Sequence, residues 1–537
     1  MNSKNKFIVM DMQMKYMLIA IALIILISCK KSNGQNNPAP VTDPNNLSFE
    51  ADAATQTPAL WKTDGDADAD YTEAGGFGNT GFALSHKKNG AYKVYTYQKI
   101  TGLENGFYTL TAWAQNGGDQ KSCYLTAKTS TGERITSLPV SSAWKQIFIR
   151  GIEVTNGECI IGISSDADAN NWCKVDNFLL TKDDKPYNFL KGGDLSELTY
   201  IEQKGGKFFE NGVQKDCFQI LKDNGFNFAR LRLYNDPGNP AFSPSNHLPS
   251  GIQDTADILS LSRRAKAAGM QIQLTFHYSD YWTNPGAQGK PHNWMGLNFT
   301  QLKQAVYDFT YNFMNRMKAQ GTVPEYVSLG NETPGGILFP DGSTNNFTQL
   351  AELLNRGYDA VKAVSPSSKV IIHLDDAGNS AKYDWFFDGL KNAGGKFDII
   401  GASYYPFWTN KTVEQMRDWA NHVAARYNTD IIIMETGYNW NPTLSSGSAG
   451  QLSNNGPYQS IYPSSPEGQR NFMLDLFNGI KQCDQGSVKG DIYWDPIMIA
   501  VPGAGWELGA PNVVSNTTLF DFNGNALPSL KAYKYNN

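Results

Sequence analysis

From about residue 188 the chain repeats one unit: a short run apolar on both faces, a turn, then a longer amphipathic stretch. Eight runs recur, at Lys191 to Leu198, Asn227 to Tyr234, Gln271 to His277, Tyr326 to Asn331, Lys369 to Leu374, Asp398 to Tyr404, Asp430 to Glu435 and Gly490 to Trp494. Helical spacing fills the intervals, as in Ala256 to Ala268, Phe299 to Ala319, Phe347 to Val364, Thr412 to Tyr427 and Pro466 to Lys481. Buried strands alternating with amphipathic helices predict a parallel sheet covered by helices. Eight such units over residues 188–537 predict a (β/α)8 TIM barrel with some long loops. A doubly wound open sheet is the alternative, but the Gly-rich phosphate turn it wants after its first strand is absent.

Residues 47–182 follow a different pattern: short alternating strands between Gly, Asn and Asp turns, with no helical periodicity. Six runs, Ala91 to Ile100, Gly106 to Ala114, Ser122 to Lys128, Lys145 to Ile152, Glu158 to Ser164 and Lys174 to Leu180, predict an all-β jelly-roll sandwich. The opening Leu47-Ser-Phe-Glu50 and the closing Val175-Asp-Asn-Phe-Leu-Leu180 resemble the first and last strands of galactose-binding-like jelly rolls, which include many carbohydrate-binding modules. That resemblance implies a structural calcium held by Glu50 and Asp176. Trp61, Trp113, Trp144 and Trp172 are candidates for a sugar platform, with core packing the expected role for at least two.

Two cores are natural for 537 residues, and a targeting segment precedes them. Lys4, Lys6 and Lys15 come before the apolar run Met17 to Ile27, which has the length of a signal h-region and is short for a bilayer span. Leu26-Ile-Ser-Cys29 resembles a bacterial lipobox, so residues 1–29 read as a lipoprotein signal with Cys29 as the lipidated residue. Residues 30–46 have the composition of a flexible tether. The expected location is the bacterial cell envelope, with the chain a monomer joined to the membrane by its lipid. A net charge of −5 without a basic stripe argues against nucleic acid as a partner. The six histidines form no His-x-x-x-His or Cys/His cluster, so no catalytic metal is expected. Among the cysteines, Cys159 and Cys173 are a candidate disulfide.

The chemistry gathers at strand C-termini, where barrels carry their active sites. Tyr326-Val-Ser-Leu-Gly-Asn-Glu332 and Asp430-Ile-Ile-Ile-Met-Glu435 each close on a glutamate. Singly, either could be a strand-end acid in a surface ion pair. As a pair they meet the need of retaining glycoside hydrolysis: one carboxyl to protonate the leaving oxygen, one to attack the anomeric carbon. Other strand ends supply Arg232, His277, Asp280, Asn331, Tyr404 and Trp494. Asn331 suits a sugar 2-hydroxyl. A cation such as Arg232 beside Glu435 would separate the two glutamate pKa values in the required sense.

Six ordered motifs, among them Arg230-Leu-Arg-Leu-Tyr-Asn, Leu274-Thr-Phe-His-Tyr-Ser-Asp-Tyr-Trp282, Ser328-Leu-Gly-Asn-Glu-Thr333, Ala402-Ser-Tyr-Tyr-Pro-Phe-Trp408 and Met434-Glu-Thr-Gly-Tyr438, resemble endo-β-1,4-galactanases of glycoside hydrolase family 53. The resemblance covers nearly all of residues 188–535 and implies an endo-acting retaining enzyme on β-1,4-galactan, the side chains of pectin, without a catalytic cofactor. It implies Glu332 as acid/base, Glu435 as nucleophile, and Trp294 and Trp494 stacked on galactosyl units. A noncatalytic glycan-binding lipoprotein on a decayed barrel, and a barrel enzyme for mannan or xylan, are the competing readings. Family members of bacterial origin often hold calcium in their seventh and eighth loops, but Asn439 to Pro466 contains no acid, so those ligands are not carried over. That stretch and Val501 to Asn516 are expected to lengthen the groove.

Overall fold

The structure is a computed structural model that describes residues 45–239 and 247–536. Cys29, the signal segment and the tether up to residue 44 lie outside the described residues.

Eight parallel strands close into a barrel in chain order: Leu190–Asp194, Phe228–Leu233, Gln271–Phe276, Tyr326–Leu329, Lys369–Leu374, Ile399–Ser403, Asp430–Thr436 and Val488–Tyr493. The first pairs with both the second and the eighth, which closes the ring. Inside it, Leu190, Phe228, Ile371, Ile399, Ile432, Met434 and Ile492 form a packed plug. Outside, the helices bury one stripe each: Phe299–Ala319 turns Leu302, Val306, Phe313 and Met317 inward. Capping boxes at Asn298/Gln301 and Thr412/Gln415 satisfy the first free amides of two helices and set where they start. The helix Ser380–Asn392, with Tyr383, Phe386, Phe387 and Leu390 buried, covers the interval after strand five.

The N-terminal domain consists of two five-stranded antiparallel sheets sharing one core, in which Leu110, Ile147 and Ile149 of one sheet meet Leu125, Ile161 and Ile163 of the other. Leu47 to Glu50 is a turn, not the expected first strand; Phe49 enters the core beside Trp61 and Phe178. Trp61 is core, its Nε1 donating to the Asn46 carbonyl, whereas Trp113 and Trp144 are partly exposed around Phe77. Cys159 and Cys173 are not joined: all five described cysteines are free and buried. Cys173 lies against Ser165, six residues along a strand from Cys159, which sets the two thiols roughly 20 Å apart along that strand.

The two domains dock through the helix Pro466–Gln482. Lys145 pairs with Asp475, Arg150 donates to the carbonyls of Lys481 and Cys483, and Asn478 and Gln482 both donate to the Gln146 carbonyl. The chain's end returns to the sandwich: Ser137 N donates to Tyr535 O at 2.8 Å, and Tyr535 stacks on Tyr124. This covers the edge strand Gly132–Ser137, which would otherwise present unpaired amides.

Candidate active site

Glu332 and Glu435 meet at the C-terminal mouth of the barrel. One oxygen of each, with a ring nitrogen of His373, lie within 4.8 Å of one another. Carboxyls of retaining glycosidases stand about 5–5.5 Å apart, whereas inverting ones need about 6.5–9.5 Å to admit a water. A closest approach of oxygens within 4.8 Å favours the retaining side of that division. Gly330, at φ +87°, turns the chain off strand four, and Glu332 itself sits in the left-handed region at φ +45°, backbone strain of the kind concentrated at functional sites.

The surroundings treat the two carboxyls differently. Arg230 Nη1 donates to Glu435 Oε1 at 2.7 Å, and the Tyr405 hydroxyl donates to Oε2 at 3.0 Å. Burial raises the Glu435 carboxyl, but this guanidinium and the two hydrogen bonds pull it back toward ionisation. Among the described residues no cation pairs directly with Glu332, and Arg230 acts on it only from a distance. Burial, with the Glu435 charge adding, pushes it up to about 8, so it holds its proton at neutral pH. Among the described residues its one side-chain hydrogen bond comes from Ser403 Oγ, which donates to Oε1 at 2.7 Å. His373 closes a ring behind it: Nε2 meets Ser403 Oγ at 2.9 Å, and Nδ1 accepts from the Glu332 amide at 3.5 Å. Because the serine proton goes to Glu332, the histidine must carry its own on Nε2, and burial holds that ring neutral. The ring leaves Oε2 of Glu332 as the oxygen free to carry a transferable proton. The Arg230 guanidinium already compensates Glu435, so the Glu332, His373 and Glu435 trio has no surplus charge for a cation.

The other expected residues are placed as follows. Asn331 lies in the cleft, accepting from Arg230 Nη2 at 2.6 Å and donating to Thr283 O. Trp494 also lines the cleft. Arg232 is not beside Glu435. It lies beneath the cleft, paired with Asp194, Glu197 and Asp495, its guanidinium 4.6 Å from the rings of both Trp282 and Trp494. The cation at the nucleophile is Arg230, two residues earlier on the same strand face. Tyr404 is turned away and fully buried, donating to Lys411 O; Ser403 and Tyr405 share the opposite face and reach the two glutamates. Trp294 packs in the core on Tyr278 and Phe309 instead of facing the cleft, and Trp282 holds the cleft position. Asp280 clamps the loop after strand three, accepting from the amides of Asp236 and His292. His277 stands behind Thr283, whose hydroxyl is 2.7 Å from Nδ1, and is held neutral by burial.

Gln451, Trp506, Glu507 and Trp408 complete the cleft from the long sixth, seventh and eighth loops. Trp408 closes the strand-six motif, and Gln451, Trp506 and Glu507 lie in the two stretches expected to lengthen the groove, but no strand periodicity in those loops marked the individual residues. Amides tie the loops together: Asn516 Nδ2 donates to Asn439 Oδ1 and Asn441 O, and Gln451 N to Val513 O. Trp506 Nε1 anchors to Asp495 at 2.6 Å, and Tyr281 donates to Glu507.

A closed parallel barrel with two close carboxyls on strands four and seven, one compensated and one protonated, over an aromatic-lined cleft, defines a glycoside hydrolase. The chain belongs to glycosyl hydrolase family 53, whose model matches residues 190–533. The endo-β-1,4-galactanase of Bacillus subtilis is 29% identical over 379 residues, spanning 65% of this chain and 86% of that protein. The arabinogalactan endo-β-1,4-galactanase of Cellvibrio japonicus is 31% identical over 365 residues, spanning 64% and 90% respectively. Among solved structures, the family 53 catalytic domain of Ignisphaera aggregans is 37% identical with a TM-score of 0.61, covering 66% of this chain and 97% of that one.

Proposed function

We propose that this chain is an endo-acting, retaining β-1,4-galactanase. The observation that carries the chemistry is the close pair with unlike neighbours: Glu435 is paired with Arg230, whereas Glu332 beside it is pushed up to about 8 by burial. Relatives that act on arabinogalactan supply the substrate class. In the first half-reaction Glu435 attacks the anomeric carbon while Glu332 delivers its proton to the departing oxygen. Glu332, now ionised, then takes a proton from the water that displaces Glu435, and the product keeps the β configuration. Asn331, held by Arg230 and Thr283, is positioned for the sugar 2-hydroxyl. These steps use only side chains of the site.

The chain acts on the β-1,4-galactan side chains of pectin from a bacterial envelope, with Cys29 as lipid anchor and the sandwich as spacer and carbohydrate-binding module. The docked interface supports the spacer role, and the partly exposed Trp113 and Trp144 the binding role. Glu50 and Asp176 hold a structural calcium in this reading. A side chain at Gly76 would run into the Asp176 carboxyl and the carbonyls of Thr80 and Phe82, while Glu50 lies against Gly81, so oxygens of the hard kind converge there. Burial, with the Glu50 charge adding, pushes Asp176 up to about 6.

Proton NMR of early products from linear β-1,4-galactan, with mannan and xylan as controls, tests the reading. New β reducing ends from galactan alone are expected; an initial α product, or cleavage of mannan or xylan in its place, refutes it. No cleavage of any polymer would favour a glycan-binding protein. Glu435→Gln is expected to lower kcat by more than about 10³-fold while oligosaccharide binding persists.

A further inference from the structure

The core of the N-terminal sandwich holds two thiols beside each other that the chemistry of the barrel does not use. Cys123 lies on the strand Ser122–Thr129 of one sheet, and Cys173 lies near the start of Trp172–Asp183 in the other. Both are buried. Residues 168–171 carry the chain from the first sheet into the second just before Cys173, so the two cysteines sit at the corner where the sheets are joined.

One hydroxyl touches both sulfurs. Ser165, the cross-strand partner of Cys123, places its Oγ 3.8 Å from Cys123 Sγ and 3.3 Å from Cys173 Sγ. His86 Nδ1 meets the same oxygen at 2.9 Å. The Cys123 thiol donates to Cys173, which pushes Cys123 up and Cys173 down from the ordinary thiol value. Cys173 thus carries the thiolate character, with a second thiol in reach to complete an exchange. By contrast, Cys159 Sγ and Cys483 Sγ face the carbonyls of Ile160 and Gly479.

We propose that Cys123 and Cys173 are an oxidisable pair that closes into a disulfide between the two sheets. The oxidant is an exchangeable disulfide, carried by a small thiol or by an envelope oxidoreductase. Cys173, as thiolate, attacks one of its sulfurs and releases a thiolate, leaving a mixed disulfide; Cys123 then loses its proton and attacks Cys173 Sγ, releasing the second thiol. The pair loses two electrons and two protons, and the oxidant becomes two thiols. Because both sulfurs are buried in the finished fold, the bond forms while the sheets are still closing. It encloses a loop of about 50 residues and restricts the denatured chain accordingly. The envelope location proposed above supplies the oxidant, whereas the pairing rests on the contacts around Ser165.

Peptide mapping tests the pair and the location separately. The full chain, refolded with glutathione disulfide, alkylated in denaturant and digested without reductant, is expected to yield one cross-linked peptide joining Cys123 to Cys173, with Cys159, Cys217 and Cys483 alkylated. Alkylation of both Cys123 and Cys173, or a bond from either to another cysteine, would overturn the assignment. The chain exported by a bacterial host is expected to carry the same bond. Its absence there, with the bond present after glutathione, would keep the pair and overturn the oxidising envelope location. Calorimetry gives a second readout: reductant is expected to lower the Tm of the cross-linked protein by about 5 °C or more, and to leave the double variant Cys123→Ser with Cys173→Ser unmoved. An equal shift in that variant would refute the cross-link as its cause.

Discussion

At the scale of single residues, the site works by giving two identical side chains unlike neighbours. Glu435 has a guanidinium and a phenol, while Glu332 has a serine hydroxyl and another carboxyl. Loss of activity at high pH follows from this. Glu332 must be protonated to act as acid, so kcat/KM is expected to fall as pH rises through about 8, and a pH profile checks it. Ser403→Ala removes a hydrogen bond that favours the ionised form of Glu332, so its basic limb is expected to move to higher pH while kcat falls about tenfold. A merely structural defect would lower the profile without moving it. Strand alternation could have resolved one misplacement beforehand. Ser403 and Tyr405 lie two apart and share a face, so the tyrosine between them had to point outward. Arg230 and Arg232 pose the opposite case. Both face the same way, and only the depth of each along the barrel axis decides which meets Glu435 and which is paired with Asp194, Glu197 and Asp495.

At the scale of elements, the apolar runs and helical stretches were legible because each obeys a local rule. The helices Phe299–Ala319 and Phe347–Val364 begin and end where the sequence periodicity places them, since a polar cap precedes each and the apolar stripe is regular. The short sandwich strands Lys62–Gly65 and Asp70–Ala74 were missed because they sit among Asp, Gly and Ala and owe their form to their partners Tyr92–Thr101 and Phe82–Lys87. Barrel strand eight carries one residue that its neighbours do not compensate. Asp491 is fully buried, neither of its oxygens has a hydrogen-bond partner among the described residues, and burial pushes it up to about 8. A carboxyl raised above its unfolded value near 4 stabilises the fold fully only below that value, and the contribution is lost as pH rises through about 8. Asp491→Asn is therefore expected to raise Tm at pH 9 more than at pH 5, measured by calorimetry at both; equal shifts would show that ionisation is not the cause.

At the scale of the whole molecule, the sandwich is fastened to the barrel and not merely threaded to it. The contacts concentrate on one helix, Pro466–Gln482, and on the chain terminus, so the two domains should unfold in one transition. Arg150→Ala, which deletes two charge-assisted hydrogen bonds to the carbonyls of Lys481 and Cys483, is expected to cost about 2–4 kcal/mol of that coupling and to split the calorimetric peak. A single unshifted peak would mean that Arg150 contributes nothing to the coupling. The division between sequence and tertiary structure follows the range of the interactions involved. Eight barrel strands, the sandwich and the two glutamates at strand ends were all determined by patterns a few residues long, because hydrophobic period and turn chemistry act locally. Which arginine faces the nucleophile, which tyrosine and tryptophan line the cleft, and which groups keep Glu332 protonated were decided only by the closed ring. Strands distant in sequence become neighbours when the barrel shuts, and the charge around a buried carboxyl is set by those neighbours and not by the residues beside it in the chain.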